Sequence, residues 1–165
     1  MSHAGNQKFL DQVKAYKKNL EDAKKYVVAV GLPAEEVGGD VYNSGKTVLE
    51  IGTIHEFGSP KRNIPARSFL RSPIKKKEKE IKKFIDKRFK KVLEDGLDAF
   101  TAIDAVGAKV KAVITRAFKT GNDGEWQPLK KPRGGKGRVK AGSKNPLDDT
   151  GTLKNAITWI TRRDK

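Results

Sequence analysis

The sequence predicts an α+β domain: long amphipathic helices, two of them an antiparallel hairpin, packed on a small antiparallel sheet, with a mobile basic loop. Three observations predict it. Apolar residues recur at helical spacing through the N-terminal and central parts of the chain. Two short runs, one near residue 27 and one at the C-terminal end, carry strand character instead. Residues 121–146 are rich in Gly, Pro, Lys and Arg, too polar to bury enough surface to order themselves.

The elements follow in order. Met1 to Gln7 reads as a loose start. Phe9, Val13, Tyr16, Leu20 and Ala23 then mark the apolar face of a helix of about four turns. Tyr26 to Leu32 is rich in β-branched residues and stops at Pro33, which predicts a buried strand. Ala34 to Lys46 is polar and Gly-containing, a loop or turn. Thr47 to Phe57 fits a helix stopped by Gly58, or a strand, and Gly52 weakens both readings. Ser59 to Arg67 is a loop punctuated by Pro60 and Pro65. Phe69 to Glu94 reads as one long helix, with Ile74, Ile81, Ile85, Phe89 and Val92 on one face and Pro73 in the first turn. Asp95-Gly96 ends it. A second helix runs from Asp98 to Thr120-Gly121 with Phe100, Ile103, Val106, Val110, Val113, Ile114 and Ala117 as its buried stripe. So short a turn between them predicts the antiparallel hairpin. Asp149-Thr150-Gly151 reads as a turn or helix start, and the alternation from Ile157 to Arg162 predicts a strand paired with Val27 to Gly31.

Composition bounds the function. A chain of 165 residues is read as one domain, 1–165, with the basic loop inside it. There is no cysteine, which excludes disulfides and Cys-based zinc sites and suits a cytosolic site of synthesis. No apolar run has the length of a membrane span, and no signal-peptide block opens the chain, so no membrane span or signal peptide is expected. The formal charge of +16 predicts attraction to polyanions: nucleic acid, acidic protein surfaces or anionic membranes.

His55-Glu56 invites a catalytic or metal-site test. A zinc-protease pattern needs a second histidine four residues on, where Ser59 stands, and the only other histidine is His3. No nucleophile is paired with a base, so no catalytic residue, metal ligand or cofactor is assigned. Gly134-Gly135-Lys136-Gly137 lacks the hydroxyl residue and preceding strand of a phosphate-cradling loop. Lys75, Lys76 and Lys77 on the long helix, with Lys130, Lys131, Arg133, Lys136, Arg138 and Lys140 in the loop, are assigned to contact DNA or an acidic partner. No aromatics interleave with them for base stacking, so a DNA contact would be to the backbone, independent of sequence and sensitive to salt. Trp126 at the mouth of the loop either tethers it to the core or anchors a protein contact.

Three separated motifs then resemble one family. Ile54-His55-Glu56-Phe57-Gly58 with Ile64-Pro65-Ala66-Arg67-Ser68-Phe69-Leu70-Arg71, Trp126-Gln127-Pro128-Leu129, and Leu147 to Ile157 are similar, in order, to the signatures of the phage virion morphogenesis family, the tail-completion proteins of Mu-like and P2-like phages. Ser68 departs from a common proline and Ala156 from a small hydroxyl residue. The resemblance implies a structural virion protein, not an enzyme. It would act at the head–tail junction as a homo-oligomeric ring, by analogy of six copies. Its neighbours would be neck, tail-terminator, tube or head-completion proteins, with its charge facing genomic DNA or acidic rings. It also implies that His55, Glu56, Phe57, Gly58, Pro65, Arg67, Phe69, Leu70 and Trp126 form an architectural joint serving subunit contacts. The alternative from the residues alone is a freestanding, sequence-independent nucleic-acid-binding domain.

Overall fold

A computed structural model describes residues 3–37, 39, 41–42, 45–127, 147 and 151–164. The fold is α+β, mostly helical and, among the described residues, with one two-stranded antiparallel sheet. In chain order the elements are α1 (His3–Ala23), β1 (Tyr26–Gly31), α2 (Ala34–Val37), α3 (Val48–Phe57), a 3-10 turn (Pro60–Arg62), α4 (Arg71–Lys76), α5 (Glu78–Glu94), α6 (Ala99–Thr120), α7 (Thr152–Asn155) and β2 (Thr158–Arg163). Among the described residues no helix is long and apolar enough to cross a membrane.

The chain forms two compact units, each assembled from separated segments. One comprises residues 1–29, 79–109 and 160–165, the other residues 30–78 and 110–159.

In the first unit α5 and the start of α6 form the predicted antiparallel hairpin. Near the turn Val92 packs with Ala99 and Ala102, while at the far end Lys109 meets Glu80 at 2.6 Å and lies over the Phe84 ring. Asp98 starts α6 as a cap, its carboxylate accepting the Thr101 amide at 2.8 Å. Ala23 at the end of α1 enters the same core, with Tyr26, Phe89 and Leu97 against it, and Asn19 donates to the Val92 carbonyl at 3.0 Å.

Four expectations change here. α1 begins at His3, inside the stretch read as a loose start. Its face is not buried as amphipathicity implies: Phe9, Leu10, Tyr16 and Leu20 are exposed. Phe100 also leaves the buried stripe and is exposed, packed edge-on against Tyr26 at 5.7 Å. β1 is half-buried rather than buried, because a sheet of two strands has no central strand.

In the second unit α3 packs against α2 and α7. Phe69 and Phe118 are fully buried and meet edge to face at 5.5 Å, and Trp126 continues the stack onto Phe118 at 5.6 Å. Gly52, unfavourable in a helix, is explained by a close approach: a Cβ there would lie 2.5 Å from Leu32 Cδ1. The helix expected over Phe69–Glu94 is interrupted. α4 starts at Arg71 and stops at Lys77, whose backbone leaves helical geometry, before α5 begins.

Candidate functional site

Thr47 and Glu50 resolve the ambiguity of the motif segment. The Thr47 side chain accepts the Glu50 amide at 3.1 Å, and the Glu50 carboxylate accepts the Thr47 amide at 2.8 Å. This reciprocal box commits the chain to helix at Val48, and α3 carries His55, Glu56 and Phe57 in its last turn. Gly58 ends it at φ 78°, where a Cβ would lie 2.8 Å from the Ala66 amide nitrogen. Ser59 and Ile64 then exchange backbone hydrogen bonds at 2.8 and 3.0 Å around the 3-10 turn, and the Arg67 amide returns to the His55 carbonyl at 2.7 Å.

That return places Glu56 beneath the start of α4. Its buried carboxylate accepts hydrogen bonds from Ser68 Oγ at 2.7 Å, the Leu70 amide at 2.9 Å, the Arg71 amide at 3.3 Å and Arg71 Nε at 2.8 Å. Leu70 has no side-chain cap of its own, so Glu56 supplies one from another element. Burial alone would raise the Glu56 pKa, but the hydrogen bonds from Leu70, Arg71 and Ser68 outweigh it and hold the carboxyl below its ordinary value. A carboxylate stabilised in this way is a poor proton acceptor, so Ser68 is positioned but not activated. Arg71 spreads from the pair to the surface and lies over the exposed Phe57 ring at 4.6 Å.

His55 is half-buried and borders a cavity of about 130 Å³ with Ile51, Leu147, Gly151 and Leu153. Burial, with the Arg67 charge second, pushes its pKa down to about 4, so the ring is neutral at pH 7. Its Nδ1 has no partner among the described residues. Arg67 is buried and donates from Nε to the Gln127 carbonyl at 3.0 Å.

A second network adjoins this one through Ser68, whose Oγ also accepts the Ser72 amide at 3.1 Å. Ser72 Oγ receives Asn122 Nδ2 at 2.7 Å, and Asn122 Nδ2 also reaches Glu125 at 2.6 Å. Lys76 closes the network, contacting Glu125 at 2.9 Å, the Asn122 carbonyl at 3.1 Å and Asp123 at 3.4 Å. These acids sit on a turn in which Gly121, Asn122, Asp123 and Gly124 all have positive φ. The start of the segment expected to be a mobile loop is therefore a folded turn, and residues 128–146 lie outside the described residues.

Several assigned residues change role. Glu56, Arg67, Phe69 and Trp126 are buried within the chain, so they build the junction and do not present side chains to another subunit. Gly58, Pro65 and Leu70 are half-buried, while Phe57 is exposed. Lys76 is no free basic contact, because the acidic turn holds it and raises its pKa through the hydrogen bond that it donates to Glu125. Lys75 is exposed, and Lys77 is half-buried at the helix break. Lys130, Lys131, Arg133, Lys136, Arg138 and Lys140 lie outside the described residues. Ser68, Arg71, Ser72 and Asn122 were missed as site residues. A hydroxyl just before the expected helix start was the available signal for Ser68; nothing local marked Asn122. Among the described residues no group of His, Cys, Asp or Glu could hold a metal ion.

No protein-family model and no solved structure matches the chain. It is similar to an uncharacterized protein of Methanocaldococcus jannaschii, 34% identical over 71 residues, covering 43% of this chain and 46% of the relative. The match thus spans less than half of that relative's length.

Proposed function

We propose that the chain is a structural virion protein of a tailed phage, a tail-completion protein that assembles as a ring at the head–tail junction. The observation that carries this reading is the Glu56 cap. The two halves of the motif that resembles the phage family meet at one buried carboxylate, which fixes the end of α3 to the start of α4. A motif whose polar residues are spent on positioning backbone suits an architectural joint. Phe57 and Arg71, held at its surface, are the groups it offers to a neighbouring subunit. Sizing the purified chain, alone and with tail and head-completion proteins, tests the proposal. Ring formation that is lost in Phe57→Ser supports it; a monomer under all of these conditions overturns it.

A second reading has its own support. Lys79, Lys83, Lys87 and Lys90 are exposed and lie three or four residues apart along α5, one basic stripe suited to a phosphate backbone. DNA binding by a monomer, falling steeply with salt and weakened when these lysines are changed to glutamine, favours that reading instead.

A further inference from the structure

The uncovered face of α1 has the spacing of a coiled-coil seam. Phe9, Val13, Tyr16, Leu20 and Ala23 are separated alternately by four and three residues, which keeps them in line toward a single partner helix. The C-terminal end of the seam is already covered, with Ala23 buried against Val92, Ala99 and Ala102. Beyond it Val13 is half-buried and the other seam residues are open, Phe9 62% exposed and Tyr16 and Leu20 43% each, with Leu10 beside them at 49%. In seam register, Leu10, Lys17 and Lys24 flank one side and Gln12 and Asn19 the other, with no carboxylate at any flanking position.

We propose that this face docks an amphipathic helix of another protein, one carrying acidic residues beside its apolar stripe. Charge selects that occupant over a second α1. The three acids of α1 are already engaged by nearby lysines: Asp11 by Lys14 at 4.0 Å, Glu21 by Lys24 at 2.8 Å and Asp22 by Lys25 at 2.6 Å. A second copy would bring another Lys17 and no carboxylate to meet it, on a chain of formal charge +16. An acidic helix instead covers Phe9, Val13 and Tyr16 while its carboxylates reach Lys17. This inference does not rest on the phage reading.

The test uses the full chain and two labelled designed peptides with the same leucine seam, one flanked by glutamates and one by lysines. Fluorescence anisotropy should show the glutamate peptide binding, more weakly as salt is added, and the lysine peptide not binding. The double variant Phe9→Ser, Tyr16→Ser should weaken binding roughly tenfold or more. Circular dichroism checks its fold, which the exposure of both residues should preserve. Lys17→Glu should weaken the glutamate peptide and admit the lysine one. Equal binding of both peptides overturns the proposal, as does binding of neither. Self-association of the free chain that Phe9→Ser abolishes also overturns it, because a second copy would then be the occupant.

Discussion

The Glu56 carboxylate accepts the Leu70 amide at 2.9 Å, so the last turn of one helix caps the first turn of another. Removing that acceptor strands the Leu70 and Arg71 amides and the Ser68 hydroxyl in a half-buried place. Glu56→Ala should therefore cost about 3 kcal/mol of unfolding free energy, and Glu56→Gln, which keeps one oxygen but loses the charge, roughly 1–2 kcal/mol. Urea denaturation of the three proteins checks the order; equal stability of Glu56→Ala and the parent would refute the cap. Because the folded carboxyl titrates below its ordinary 4.5, its contribution is complete above that value and is lost as pH falls through the folded value.

Gly58 and Gly96 separate steric clash from backbone strain. Both have positive φ, 78° and 68°, but a Cβ at Gly96 meets nothing within 4 Å, while one at Gly58 meets the Ala66 backbone. Gly96→Ala should cost about 1 kcal/mol and Gly58→Ala roughly 3 kcal/mol. Thermal melts should rank them in that order.

His55 predicts a different pH window from Glu56. The unfolded histidine takes a proton near 6.5, the folded one only near 4. Between those values the unfolded chain binds more protons, so stability is full above 6.5 and falls as pH drops toward 4. His55→Gln should flatten this slope. Denaturation midpoints at pH 7 and pH 5, compared between variant and parent, measure it. An unchanged slope in the variant would mean that other groups set it.

Asn122 holds a left-handed backbone, φ 55°, while its buried side chain ties Ser72 to Glu125. Asn122→Gly keeps the backbone freedom and loses only the bonds, so it should cost about 1 kcal/mol. Asn122→Ala loses both and should cost roughly 2 kcal/mol. If the two variants melt together, the strain at this position is negligible.

The local signals in the sequence were sound where the determinant was local. Helical spacing placed α5 and α6, and alternation placed β2 and its pairing with β1. The motif around Glu56 was visible as a unit, but its purpose was not. The cap depends on a chain reversal between Gly58 and Arg67 that brings Ser68 and Leu70 back to Glu56, a non-local consequence of turn geometry. Lys76 misled for the same reason: in one dimension it belongs to a run of three lysines, and only folding brings the acidic turn to it. The face of α1 misled in another way. Periodicity says that a stripe is apolar, not that its own chain covers it.

The paired hydrogen bonds between Ser59 and Ile64 carry one more consequence. They close the 3-10 turn upon itself before the chain returns to the junction, so the exposed tip at Lys61 and Arg62 is insulated from the cap. Relatives should therefore vary in length at this tip while leaving the junction intact. A tag or short epitope inserted there would report on the assembled protein without disturbing it.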